Sequence, residues 1–203
     1  ANNPMNIELR TDPFDEDLLS TIEHMRGVED AEGRRVFTMR VRTGEDGQWV
    51  TLNIVAVDDF SELNINRLNV ISGTNQPADD QILLEKKALA DLHVAEGDTL
   101  EVELLDGTIK SMTVAGIVQD PATGAGDFLA QPFAYVTTGS LSFLGQPETF
   151  NRMFVTLTEG KNDEVVLRNM GGTVRDKIEK SGVTVYIMRA TKTNEHPMAS
   201  TVQ

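Results

Sequence analysis

Arg35-Val36-Phe37-Thr38-Met39-Arg40-Val41-Arg42, the turn Gly44-Glu45-Asp46-Gly47, and Trp49-Val50-Thr51-Leu52-Asn53-Ile54-Val55-Ala56-Val57 decide the class of the fold. Both arms alternate apolar and polar side chains, the period of a strand with one buried face. The glycine-bearing turn between them makes the pair a hairpin. A second hairpin follows, with Leu100 to Leu104 and Ile109 to Val118 on either side of Asp106-Gly107, a strong two-residue turn signal. Antiparallel hairpins beside strand-helix-strand units imply an α+β fold rather than a parallel wound sheet.

On the N-terminal side, Asn6 to Arg10 reads as a strand that leads into a helix. Asp12 is the expected N-cap, Pro13 the first helical residue, and Asp15 a complement to the dipole. Phe14, Leu18, Ile22 and Met25 make the helix's apolar stripe, and Gly27 stops it. After Asp58-Asp59-Phe60, Ser61 to Gly73 is expected to be loop with one helical turn. Then come a strand at Ile82 to Glu85, a short helix from Lys86 to Leu92 with Leu89 and Leu92 inward, and a turn at Gly97-Asp98. Beyond the second hairpin, Asp120 to Gly126 is a loop, Phe133 to Thr137 a strand and Ser140 to Leu144 a helical turn. Arg152 to Thr158 is a strand, followed by a helix from near Asn162 whose Val166, Met170, Val174 and Ile178 recur every fourth residue. Gly182 ends that helix, Val183 to Met188 is the closing strand, and a polar tail begins at Thr191. Gly171-Gly172 inside the last helix costs about 1 to 2 kcal/mol relative to alanines, so a kink or a close packing contact is expected there.

Each end of the chain thus carries a strand-helix-strand unit, and the middle is rich in hairpins. The economical arrangement packs residues 1–57 with 150–203 as one lobe and sets 58–149 apart as a second.

Charge narrows the choice of partner. The 203 residues carry 32 acidic and 18 basic side chains, a net charge of -14. Such a field repels phosphate backbones and anionic bilayers alike, so no nucleic-acid partner is expected. Cysteine is absent, which removes disulfides, thiolate nucleophiles and cysteine-held metals. No apolar run approaches the roughly 20 residues of a membrane helix, and Ala1-Asn2-Asn3-Pro4 has no signal-peptide character. The chain is expected to be cytosolic, or a soluble piece separated from its targeting and anchoring segments.

No catalytic constellation emerges. His24, His93 and His196 share no ligand spacing and read as helix-end or surface residues. Asp15-Glu16-Asp17, Asp58-Asp59 and Asp79-Asp80 fall at element boundaries, where carboxylates cap helices or stay solvated. Gly124-Ala125-Gly126 lacks the third glycine of a dinucleotide fingerprint, which would stand at Leu129. No Walker motif, calcium loop or nucleophile elbow is present. No catalytic residue, cofactor site or metal site is therefore assigned. Phe128, Leu129, Phe133, Leu141, Phe143 and Leu144 cluster in sequence with few charges. They either plug the bottom of the middle lobe or form an exposed patch for a partner.

Several runs, in order, resemble a known family. They are Gly27-Val28-Glu29-Asp30-Ala31, the first hairpin, Ile54 to Phe60, Ile71-Ser72-Gly73, Ile82 to Ala90, Val94-Ala95-Glu96-Gly97-Asp98-Thr99-Leu100 and Val114-Ala115-Gly116-Ile117-Val118. Ala134-Tyr135-Val136 and Asn151-Arg152-Met153-Phe154-Val155 continue the order. Over roughly Met5 to Arg189 the chain resembles the large extracytoplasmic domain of MacB-like and FtsX-like ABC-transporter permeases. His93 departs from the pattern, since the family often has glycine before the Val94 position.

The resemblance implies a porter-like lobe built from both chain ends and an inserted small α/β lobe. It implies a non-catalytic domain on the extracytoplasmic face of the bacterial cell membrane, excised from between two membrane helices of an integral permease. ATP is then hydrolysed by a separate cytoplasmic domain or subunit, and the expected partners are that ATPase, a second permease, and an extracytoplasmic adaptor or cargo protein. Transport or efflux, or activation of cell-wall hydrolases, is the implied role. A free-standing extracytoplasmic binding or assembly module, and a hydrolase with an acidic site of unrecognised pattern, are the alternatives.

Overall fold

The computed structural model describes residues 3–120 and 131–193. Its organising element is β2, Val28–Arg42, a strand of 15 residues where five or six are usual. The first half of β2 pairs antiparallel with β9 (Phe150–Leu157), from Val28↔Leu157 to Arg34↔Arg152. The second half pairs antiparallel with β3 (Val50–Val57), from Arg35↔Ala56 to Val41↔Val50. One strand therefore belongs to two sheets, and the partner changes between Arg34 and Arg35.

The first sheet runs β10 (Val185–Ala190), β1 (Ile7–Phe14), β9, β2, with every pair antiparallel. Helices α1 (Glu16–Glu23) and α3 (Glu164–Lys180) contribute to its core, with Leu18, Leu19 and Ile22 meeting Leu167, Val174 and Ile178 over Ile7, Leu9, Met153 and Val155. The strands nearest the two chain ends, β1 and β10, lie side by side.

The second sheet closes on itself. Its ring runs β2, β3, β8 (Phe133–Thr137), β5 (Gln81–Glu85), β7 (Ile109–Gln119), β6 (Thr99–Glu103) and back to β2. The β3–β8 and β5–β7 pairs are parallel. Closure removes two exposed edges. Every strand of the ring points side chains inward, including Val41, Leu52, Ile54, Ile82, Leu84, Leu100, Val102, Met112, Val114, Ala134 and Val136. Burying each leucine or isoleucine of this kind contributes roughly 1.5 to 3 kcal/mol. The 3-10 helix Lys86–Ala90 and α2 (Ser140–Phe143) add Ala88, Leu141 and, from the turn after α2, Leu144 to the same core. The closing seam between β2 and β6 is short, and its outer face pairs Arg40 with Glu103 and Arg42 with Glu101, each at 2.6 Å. Both guanidiniums lie over the Trp49 ring, at 5.2 and 4.4 Å from its centroid.

Outside the ring, Val55, Val57, Leu83, Val118 and Tyr135 are covered by Phe60, Leu63 and Leu68 from the segment after β3. That segment ends in β4 (Asn69–Gly73), which pairs with the far half of β7.

The change of partner on β2 has a local cause. At Gly33 a Cβ would stand 2.6 Å from the Phe150 ring, so only glycine lets the ring lie against the strand there. At Val36 the β9 backbone no longer accompanies β2, and the Asn151 side chain takes its place. Val36 N–H donates to Asn151 Oδ1 at 2.8 Å, and Asn151 Nδ2 donates to Val36 O at 3.0 Å. A buried backbone without partners would cost free energy, and one amide satisfies both groups. Arg34 is buried beside this point. It donates to Glu32 at 2.7 Å and to the Ile65 carbonyl at 3.3 Å, which ties the covering segment to the strand.

Several expectations are corrected. Residues 35–57 were expected in the lobe of the chain ends; their hydrogen bonds place them in the ring, because β3 pairs with β8 and β2 with β6. The helix cap is Asp15 rather than Asp12: Asp15 accepts from Asp17 and Leu18 N–H. Asp12 N–H instead donates to Thr184 O and Phe14 pairs with Phe150, so the chain stays extended through Pro13. Residues 69–73, expected as loop, form β4. The buried stripe of α3 is Leu167, Gly171, Val174 and Ile178, with Val166 and Met170 only partly buried. Spacing of four drifts around a helix of 3.6 residues per turn, whereas steps of four, three and four hold one face.

The glycine pair separates into two cases. A Cβ at Gly171 would meet Met188 Sδ at 2.9 Å, so close packing on β10 explains it. A Cβ at Gly172 would meet nothing within 4 Å. Gly172→Ala is expected to stabilise the fold by about 0.5 to 1 kcal/mol, while Gly33→Val destabilises it by about 2 kcal/mol or more through overpacking. Urea unfolding of the two variants beside the parent checks both signs.

Candidate functional site

Where the first sheet meets the ring, a groove of about 450 Å³ opens between α1 and the end of β3. Asp15, Glu16 and Asp17 line it from the start of α1, Asp58 from the end of β3, Thr138 and Gly139 from beyond β8, and Glu148 and Phe150 from the approach to β9. The local sequence accounts for each position. Capping fixes Asp15, acids favour the first turn of a helix, and Asp58 accepts from Thr138 Oγ1 at 2.9 Å. No lysine or arginine lines the groove. Burial, chiefly, and then the charges of Asp58, Glu23 and Asp15 raise the Glu16 carboxyl above its ordinary value.

These acids do not form a catalytic arrangement of recognisable geometry. Among the described residues no three His, Asp or Glu side chains are grouped to hold a metal ion. His24 is exposed at the end of α1, with Nδ1 2.7 Å from Ser20 O, and His93 is exposed; His196 lies outside the described residues. A second groove, of about 520 Å³, runs between α1 and the end of α3, with Asp15 and Asp17 on one wall and Lys177 and Lys180 on the other.

Of the six residues that sequence groups as a core plug or a contact patch, the four described ones do not come together at the surface. Leu141 and Leu144 are buried in the ring's core, which removes them from any contact surface. Phe143 is half-buried against that core, with Lys110 Nζ 4.4 Å above its ring and donating to its carbonyl at 2.9 Å. Phe133 packs against the outer core beneath the covering segment. Phe128 and Leu129 lie outside the described residues. Among the described residues the large exposed apolar side chains stand elsewhere: Leu105 and Ile109 beside the turn between β6 and β7, Val70 and Ile71 on β4, Val165 on α3, and Tyr186 and Ile187 on β10.

Sequence reading did not join the acidic groove, because its carboxylates come from positions 15–17, 58 and 148 and meet only through the sheet junction. The like-charge pattern at Asp15-Glu16-Asp17 and Asp58-Asp59 was the available signal.

The α+β fold, an open four-stranded sheet beside a closed ring, resembles two solved structures. The extracellular domain of the noncanonic ABC-type transporter YknZ from Gram-positive bacteria matches with a TM-score of 0.59 at 14% identity, over 91% of this chain and 100% of that one. The periplasmic region of MacB from Actinobacillus actinomycetemcomitans matches with a TM-score of 0.57 at 10% identity, over 93% and 89%. No curated protein matches the sequence significantly. The sequence profile of the MacB-like periplasmic core domain covers residues 3–191, and the chain belongs to that family, the periplasmic domain of an ABC-type transporter permease. No helix among the described residues is long and apolar enough to cross a membrane.

Because the raised carboxyl of Glu16 disfavours its charged form in the fold, the cost is absent below its ordinary value of 4.5 and grows as pH rises above it. Glu16→Gln is therefore expected to be more stable than the parent at pH 7, by less than about 1 kcal/mol since the group is largely solvated, and no more stable at pH 3.5. Thermal unfolding at the two pH values measures this.

Proposed function

We propose that the chain is the non-catalytic extracytoplasmic domain of a permease subunit, and that it transmits ATP-driven movement of membrane helices to export or to extracytoplasmic partner proteins. The observation that carries this reading is the placement of the two ends of the fold. Asn6 and Thr193 touch through Asn6 Nδ2 and Thr193 Oγ1 at 2.9 Å, and Thr191 N–H donates to Asn6 O at 2.8 Å. The strands that enter and leave the domain therefore sit together, as a domain inserted between two membrane helices requires.

The second support is β2. Movement delivered to β1 and β10 reaches the ring through β9 and a strand shared by both sheets, without crossing a flexible linker. On this basis we divide the described residues into a porter-like lobe, residues 3–34 with 150–193, and a ring lobe, residues 35–120 with 131–149. ATP hydrolysis belongs to a cytoplasmic domain or subunit, and a second permease is the expected pairing partner. The domain lies on the extracytoplasmic face of the membrane.

The chain has no cysteine, so a thiol introduced into it is the domain's single reporter, with the unsubstituted parent as the labelling control. In the full-length parent, Thr173→Cys on the exposed side of α3 is expected to react with a membrane-impermeant maleimide in intact spheroplasts. Labelling only after lysis overturns the location. Asn151→Ala, which removes the bracket at the junction, is expected to leave ATP hydrolysis near the parent's rate and to reduce export or partner activation. A variant that loses both in proportion overturns the transmitting role.

A further inference from the structure

The face of the first sheet opposite α1 and α3 carries a row of arginines that no local sequence signal announces. Arg10 on β1 pairs with Arg152 on β9, and Arg152 pairs with Arg34 on β2. Cross-strand partners share a face, and like charges directly opposite one another destabilise a sheet. Ile187 on β10 continues the row beyond Arg10. The next row on the same face is Arg189, Glu8, Phe154 and Glu32. Four arginines thus face two glutamates, in a protein whose net charge is -14.

The glutamates do not neutralise the row evenly. Arg34 is buried, held by Glu32 at 2.7 Å, and lies over the Phe154 ring at 5.2 Å. Glu8 reaches Arg10 at 3.4 Å. Among the described residues Arg152 has no carboxylate in ion-pair contact, and it donates only to the carbonyl of its neighbour Asn151, at 3.1 Å. Its guanidinium is half-buried, and burial, chiefly, with Arg10 adding to it, holds its pKa below the ordinary arginine value. A cation kept in place beside two others, with Glu8 acting on it but no carboxylate in contact, marks a place for an anion.

We propose that this face is the docking surface for an acidic, extended segment of a partner protein, whose alternate carboxylates pair with Arg152 and Arg10. Three arginines on adjacent strands span about 10 Å, and alternate side chains of an extended chain are about 6.7 Å apart. Two carboxylates of such a segment therefore reach the row together, whereas a small oxyanion meets one end of it. Ile187, 39% exposed at the sheet's edge, lies alongside for an apolar contact. Charge selects among occupants. A second copy laid face to face would set arginine on arginine. An anionic bilayer meets the field of the whole domain, while a narrow segment within about a Debye length, roughly 8 to 10 Å, meets the local arginines. The surface is separate from the acidic groove, and the proposal does not depend on the domain's attachment to a permease.

The test follows fluorescence anisotropy of two labelled decapeptides with the full chain, one alternating Glu and Thr, the other Gln and Thr. The Glu peptide is expected to bind and the Gln peptide not to. Arg10→Gln with Arg152→Gln is expected to weaken binding about tenfold or more, and Lys177→Gln with Lys180→Gln, beside the helical groove, to leave it unchanged. Circular dichroism melts confirm folding; should the double variant fail to fold, Arg189→Gln replaces it with the same expected direction. Absence of Glu-peptide binding, equal binding of the two peptides, or binding insensitive to the arginine changes overturns the proposal. Vesicles of phosphatidylglycerol and phosphatidylcholine in equal parts are the counter-probe. Arginine-dependent sedimentation with vesicles, without peptide binding, assigns the row to lipid and equally overturns it.

Discussion

The architecture depends on one constraint: a strand of 15 residues must keep hydrogen-bond partners while it passes from one sheet to another. Backbone groups buried without partners are costly, so the crossing is possible only where substitutes exist. β2 has β9 beside it up to Arg34, the Asn151 amide at Val36, and β6 from Arg40. Gly33 lets the Phe150 ring close over the strand at the crossing, and the Arg34 guanidinium links it to the Ile65 carbonyl. The two cores, one under the helices and one within the ring, are joined through these few groups rather than through a linker.

The strands nearest the two ends of the fold, β1 and β10, lie side by side, and a hydrogen-bonded path runs unbroken from them through β9 and β2 to the ring. Net charge is divided between the faces. The groove at the junction collects Asp15, Glu16, Asp17, Asp58 and Glu148, while the open face of the first sheet collects Arg10, Arg152 and Arg189. A strongly acidic domain thus holds one cationic face, which the sum over the chain conceals.

Much of the element order was legible. Period-two alternation marks both hairpins, Asp106-Gly107 turns the second with Gly107 at a φ of +85°, and Gly182 at +94° ends α3 as expected. Boundaries were harder where two signals competed. Asp12 and Asp15 are both good caps; what excludes Asp12 is Thr184, whose carbonyl takes the Asp12 N–H from 172 residues further along the chain. β4 lacked a pattern because all but one of its five residues are exposed. The apolar residues proposed as a patch showed composition, which core and surface share, and Leu141 and Leu144 proved to be core.

The sequence by itself determined the α+β class, the hairpins and helices, the acidic field, the lack of cysteine chemistry and the resemblance that the family match bears out. Those properties are set by neighbours a few residues apart or by sums over the chain. Only the tertiary structure decided that residues 35–57 belong to a closed ring, that Gly171 is glycine because Met188 approaches it, and that Arg10, Arg152 and Arg34 form one row. Each of these rests on the register between strands far apart in sequence. Shifting a strand by one residue would send its side chains to the opposite face, and no local pattern in this chain records which register was chosen.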